Sequence, residues 1–412
     1  MDIFQVFLWL SIIAGFLMAF NLGANDVANA MASAVGARAI TVKQAIMIAG
    51  ILNFVGAVFF GSHVTATISK GIINPSSITD PKIIMMGMFA SLISAALWVF
   101  IATLTALPVS STHSIIGSLL GFGLVAGGPH VVNWKVLGYV VLSWIISPFF
   151  AATISFVVFT LIRSQILMRK NFIKHTVQWV PIWIVLTCAL IIFSFFYKTP
   201  FGKKLGLPLS VSLSIVGIIG VIIYVASLIW VKRFVKEMEE DSQVVEDVFK
   251  KIQIGTSCYV AMSQGANDVA NAIGPVVAVY SVAKYHALLP KVQIPMGFLA
   301  LGGLGIATGI MLFGKKVIGT VGEKITTLTN TRGFAVDVGT ATTVLTASNL
   351  GLPVSTTHSA VGGVVGVGLA RGFSAVDFGV LIKIIIYWVL TVPIAAFTSI
   401  FLFQLMRWSI LG

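Results

Sequence analysis

From Ile3 onward the chain alternates between apolar runs of about 20 residues and short polar joints, and that rhythm dictates the solvent it folds in. A bilayer offers no water to backbone amides and carbonyls. A spanning segment must therefore satisfy its own hydrogen bonds, as a helix or within a closed barrel. The runs are continuously apolar rather than alternating, which excludes a transmembrane β-barrel. Of 412 residues, 58% are hydrophobic and 9% charged, where a soluble domain carries about 25% charged. The expectation is an all-α polytopic membrane protein with about 12 transmembrane segments, roughly at 3–22, 43–61, 82–106, 110–127, 136–162, 177–197, 208–231, 253–274, 292–313, 335–350, 354–370 and 375–406. The start, Met1-Asp2-Ile3-Phe4, has no basic leader and reads as the beginning of a first span rather than a signal peptide. The segments 110–127 and 354–370 are short and glycine-rich, and are expected to be broken or re-entrant helices.

Charge lies between the runs. Arg163, Arg169, Lys170 and Lys174 follow the fifth span, Lys232, Arg233, Lys236, Lys250 and Lys251 the seventh, and Lys315, Lys316, Lys324 and Arg332 the ninth. With twelve spans all three joints share one side, which the positive-inside rule makes cytoplasmic, leaving both termini outside. The net charge of +13 is thus loop charge and no sign of a nucleic-acid partner. Cys188 and Cys258 sit in apolar runs without metal-ligand or disulfide spacing. The only strongly charged stretch, 235–251, reads as a solvated connector, and no soluble domain is expected.

Two polar motifs interrupt the apolar pattern, and each occurs twice. Gly23-Ala24-Asn25-Asp26-Val27-Ala28-Asn29-Ala30 returns about 240 residues later as Gly265-Ala266-Asn267-Asp268-Val269-Ala270-Asn271-Ala272. A carboxylate near a bilayer centre costs ~2.5–3.5 kcal/mol on insertion scales, so a repeated one signals a site. Asn25, Asp26 and Asn29, with Asn267, Asp268 and Asn271, offer oxygen ligands to a hard cation at a helix break, or cap that break themselves. Leu107-Pro108-Val109-Ser110-Ser111-Thr112-His113-Ser114 likewise matches Leu352-Pro353-Val354-Ser355-Thr356-Thr357-His358-Ser359. A Pro before a hydroxyl cluster is a helix start. Its free amides, its dipole and Ser110, Ser111, Thr112, Ser355, Thr356 and Thr357 suit an anion; helix packing alone is the competing use of these residues. Gly117 and Gly121, and Gly362, Gly363 and Gly366, let each new helix approach its neighbours. His113 and His358 either relay protons or pin the hydroxyl loop. A serine-hydrolase reading fails, because Gly-x-Ser-x-Gly does not surround these serines.

The order of the spans sends the two Asn-Asp helices through the membrane in opposite senses. The expected division is a first inverted repeat over 1–162, two linking spans with the charged connector over 163–252, and a second inverted repeat over 253–412. The acids in or beside spans are Asp26, Asp268, Asp337 and Asp377, and the only base deep in a span is Lys383. A multivalent anion would be repelled by such a site unless a cation came with it. Sodium at the Asn-Asp pairs, or a proton on Asp or His, would meet that need. Asp337 is either a local cap or faces the site. A faint further match joins Phe60-Gly61 to Phe313-Gly314, while Asn53 and Gln44 are polar candidates in the second span.

With both motif pairs in view, the chain resembles the inorganic phosphate transporter (PiT) family over nearly its whole length. The resemblance implies a symporter of phosphate with sodium in many members and protons in others, a minority carrying sulfate. It assigns phosphate to the two hydroxyl motifs and the cation to Asn25, Asp26, Asn267 and Asp268. Asp337 matches a late glutamate of animal members, while Asn53 and Met88 stand where those members have acids. The expectation is therefore a sodium-coupled phosphate symporter, with a proton-coupled phosphate or sulfate symporter as alternative and an anion channel behind it. No enzymatic activity and no cofactor beyond sodium as co-substrate are expected. The chain should lie in the cell membrane, among lipid, as a homodimer.

Overall fold

Polar caps start the helices. In the computed structural model, which describes residues 2–73, 78, 80–105, 107–198, 205–286, 294–318 and 325–411, Thr41 and Gln44 form a reciprocal capping box. Asp80, Ser110, Asn133, Asp241 and Ser355 each cap a helix with a side-chain oxygen. In chain order the helices are α1 (Ile3–Gly36), α2 (Val42–Phe60), α3 (Ser62–Lys70), α4 (Pro81–Leu104), α5 (Ser111–Gly127), α6 (Trp134–Ile162), α7 (Phe172–Lys198), α8 (Leu209–Phe234), α9 (Ser242–Tyr285), α10 (Met296–Phe313), α11 (Asn330–Asn349), α12 (Thr356–Arg371) and α13 (Phe378–Leu411). The described residues hold no strand, only an isolated bridge between Ile73 and Val132. Lys324 and Met1 lie outside the described residues.

Among the described residues, eight helices are long and apolar enough to cross a membrane: α1, α2, α4, α6, α7, α8, α10 and α13. Their outward faces carry large apolar side chains, among them Phe149, Ile218, Leu312 and Phe397, as a lipid-facing surface requires. The longest helix, α9, falls outside this group for a physical reason. Helices α1, α2, α4 and α11 surround it, so its buried face meets protein rather than lipid and need not be apolar.

Two elements differ from the sequence reading. The Asn-Asp motifs do not break their helices: α1 runs through Asp26 to Gly36, and α9 runs unbroken past Asp268 to Tyr285. Partners from other elements satisfy the Asn and Asp side chains, so the local backbone need not open. The charged stretch also becomes helix from Ser242 onward. Val244, Val245, Val248 and Phe249 bury the inner face of these first turns, against Val231, Val235 and Phe334. At 44 residues α9 is about 66 Å long, roughly twice a hydrocarbon core.

The contacts cross between the two ends of the chain. Helix α12 lies along α6 and α13 along α5, while α1 lies along α10 and α9 along α2. These contacts come in matched pairs. A Cβ on Gly23 would overlap Ile306 O, and one on Gly265 would overlap Asn53 O. Gly61 ends α2 against Val269, and Gly314 ends α10 against Val27. The basic joints meet at one end of the molecule. Arg163 Nη1 donates to Ala370 O at 3.1 Å, Arg371 Nη1 to Thr327 Oγ1 at 3.0 Å, and Thr331 N to Glu246 Oε2 at 3.0 Å.

Candidate functional site

Helices α5 and α12 start inside the protein, and their first turns are completely enclosed. Ser110 and Ser355 accept the amides of His113 and His358, each at 3.2 Å. The cap uses the third amide, so those of Ser111, Thr112, Thr356 and Thr357, which have no carbonyl within their own helices, face the same interior. All six hydroxyl residues are buried, at 1–3% exposure.

The Asn-Asp motifs meet these helix starts, Asp26, Asp268, Asn25 and Asn267 within their own half of the chain and Asn29 and Asn271 across to the other. Asp26 Oδ2 accepts Ser111 Oγ at 2.6 Å, and Asp268 Oδ2 accepts Thr356 Oγ1 at 3.3 Å. Asn29 Nδ2 donates to Thr357 Oγ1 at 2.9 Å and to Thr356 Oγ1 at 3.3 Å, while Asn271 Nδ2 donates to Thr112 Oγ1 at 3.1 Å. Thr112 Oγ1 in turn donates to Val354 O at 3.2 Å and Thr357 Oγ1 to Val109 O at 3.1 Å, tying one hydroxyl loop to the other. Asn25 holds the loop before α5 through Leu107 O and Val109 N, and Asn267 holds the loop before α12 through Val354 O. Asp26 also lies close enough to Asp268 to repel it. The hydrogen-bond partners of both carboxylates, among the described residues, are hydroxyls and amides. Among the described residues no Lys or Arg reaches them, and Lys383 is exposed on α13.

Four aromatic rings close one side of this cluster. His113 Nδ1 lies 3.2 Å from Trp388 O and His358 Nδ1 3.0 Å from Trp144 O. Facing a carbonyl, each Nδ1 must carry the proton. The two imidazoles are 4.5 Å apart and lie against Trp144 and Trp388 at 3.8 and 3.7 Å. The histidines therefore brace the hydroxyl helices against α13 and α6.

Asp337 is buried but belongs to a separate cluster. It accepts Ser33 Oγ at 2.5 Å, Ser257 Oγ at 2.6 Å and Thr256 Oγ1 at 3.0 Å. Sequence reasoning named the acid and missed its three hydroxyls, although Ser33 stands two turns beyond Asp26 on α1. It also missed Gln264, one turn before Asp268, whose Nε2 donates to Asp26 O at 2.7 Å. Of the second-span candidates, Gln44 is consumed by its capping box and Asn53 is buried, with Nδ2 on Ala49 O.

The chain matches the phosphate transporter family over residues 22–399. A protein of Thermococcus kodakarensis that carries a phosphate-permease name is 48% identical over 98% of this chain and 99% of its own length. The inorganic phosphate transporter 2-1 of Arabidopsis thaliana chloroplasts is 37% identical over 94% of this chain and 70% of its own. A solved structure titled as the sodium-dependent phosphate transporter superposes with a TM-score of 0.92 at 49% identity, over 98% of this chain and 99% of that one. A family match across most of the chain, and relatives this similar over nearly their full lengths, lead to one conclusion: the chain belongs to the phosphate transporter family.

Proposed function

We propose that the chain is a sodium-coupled inorganic phosphate symporter of the cell membrane, working by alternating access. One observation carries the reading: two buried carboxylates, Asp26 and Asp268, stand beside the first turns of α5 and α12 without a basic partner among the described residues. The helix starts, with Ser110, Ser111, Thr112, Ser355, Thr356 and Thr357, take the phosphate oxygens. Two unit charges 4 Å apart interact by about 4 kcal/mol at an effective dielectric constant of 20, so the anion needs cations next to it. Asn25, Asp26 and Asn29 would hold one sodium ion and Asn267, Asp268 and Asn271 another, through the oxygen ligands that hard cations prefer. Asp337 and its three hydroxyls make a further sodium position, and His113 and His358 couple the hydroxyl helices to α13 and α6. The matched crossing contacts support two inverted repeats, and the sodium-dependent title of the structural neighbour supports the choice of cation.

The test is phosphate affinity of the purified carrier in sodium, potassium and choline. Binding at least about tenfold tighter in sodium is expected, a coupling of ~1.4 kcal/mol or more. Equal affinity in all three salts, with uptake driven by an imposed pH gradient, would replace sodium by protons. Unsaturable flux without coupling would make the protein a channel.

A further inference from the structure

Gln253 of α9 is fully enclosed, at 0% exposure, yet neither its Oε1 nor its Nε2 has a hydrogen-bond partner among the described residues. Burying an amide in this way is strongly unfavourable unless something passes through or rests there. Room has been made for it. Gly333 of α11 faces the amide, and a Cβ at that position would overlap Gln253 Nε2.

The amide is one member of a polar file. On α9, Glu246, Gln253 and the pair Thr256 and Ser257 recur at the spacing of a single helical face. On α11, Thr331, Gly333 and Asp337 meet them from the opposite wall. The outer end is the Glu246 carboxylate, which accepts Thr331 N at 3.0 Å and Thr331 Oγ1 at 2.7 Å. At the position before Thr331, Asn330 Oδ1 is also buried without a partner among the described residues. The inner end is Asp337 with its three hydroxyls.

Among the described residues the matching face of the other half holds a single polar side chain, Ser11, in place of this file. The 242-residue offset that carries Gly23 onto Gly265 pairs Gln253, Thr256 and Ser257 with Ser11, Ala14 and Gly15. That face is sealed by packing, since a Cβ on Gly15 would overlap Val276. The file therefore opens toward one end of the molecule only, the end where the basic joints meet.

We propose that this file is the route by which sodium travels between Asp337 and that end, with Gln253 Oε1 as the intermediate ligand and the Glu246–Thr331 contact as the outer closure. A carboxylate, hydroxyls, an amide oxygen and a second carboxylate are the ligands a hard monovalent cation takes in turn. Successive positions lie one to two helical turns apart. The hydroxyl motifs of α5 and α12 are not part of the file, so sodium leaves without passing the phosphate position. The proposal rests on reading Asp337 as a sodium-holding residue.

Net uptake into sodium-free vesicles requires sodium to leave the carrier, whereas phosphate–phosphate exchange with equal high sodium on both sides does not. Gln253→Leu is expected to lower net uptake about tenfold while keeping exchange within about twofold. Gly333→Ala, which displaces the amide, should do the same, and Gln253→Glu, which keeps an oxygen at the position, should restore net uptake. Equal losses in both assays, or full net uptake in Gln253→Leu and Gly333→Ala, would overturn the route. Asp337→Asn tests the underlying reading on its own: a less steep sodium activation of exchange supports it. An unchanged activation curve removes that reading and the route with it.

Discussion

The Asp26 carboxyl accepts hydrogen bonds from Ser111 Oγ and Asn29 Nδ2, with Asp268 as a near neighbour. Replacing the carboxylate by an amide keeps the shape, but it removes the charge proposed to hold the cation and turns one of the proposed ligand oxygens into a donor. Asp26→Asn and Asp268→Asn are each expected to reduce sodium-driven phosphate uptake by about 100-fold or more, the loss of a buried charged contact worth ~3 kcal/mol. Normal transport in both variants would remove sodium from the Asn-Asp pairs. These two acids were legible in the sequence because each sits in a duplicated motif inside an apolar run. Ser33, Thr256, Ser257 and Gln264 were not. Hydroxyls in membrane helices commonly return to the carbonyl one turn back, as Ser91, Thr103 and Ser263 do here. Only the fold separates those from the hydroxyls that turn toward Asp337.

Helices α5 and α12 are held by glycine contacts that repeat from one to the other. A Cβ on Gly121 would overlap Ala396 O on α13, and one on Gly366 would overlap Ala152 O on α6. Valine at either position must push two backbones apart, at a cost of about 1–3 kcal/mol. Gly138 on the exposed side of α6 has open space around it. Gly366→Val and Gly121→Val should therefore lower the apparent melting temperature of the purified carrier, and Gly138→Val should leave it nearly unchanged. Equal shifts in all three would mean that helix propensity, not close approach, sets the effect. The sequence announced these glycine rows and the helix starts before them, because Pro and hydroxyl caps act locally. It could not announce which helix each row would meet. Nor did it show α9 extending back to Ser242, since a run of mixed charge reads as a solvated loop until Val244, Val248 and Phe249 find their apolar neighbours.

At the scale of the whole molecule the two ends of the chain interlock, because α6 carries α12 and α13 carries α5. Under the proposed alternating access, residues 1–162 cannot rock as one block against 253–412 as another; each moving body has to include helices from both. The same interlocking makes the orientation in the membrane testable. Arg163, Glu246, Thr331 and Arg371 are joined at one end. Asp377, at the start of α13, donates its amide to Ile325 O at that end as well. The 34 residues of α13 then travel about 51 Å, which carries Ser409 to the far face. If the basic joints are cytoplasmic, Ser409→Cys in a background lacking Cys188 and Cys258 should react with an impermeant maleimide in intact cells. Met168→Cys, exposed in the joint after α6, should react only after permeabilisation. The opposite pattern would turn the molecule over and make the polar file between α9 and α11 an entry for external sodium instead of an exit to the cytoplasm. Under the proposed coupling the sodium gradient sets the direction of transport, and the face that the basic joints occupy decides only the side on which the file opens.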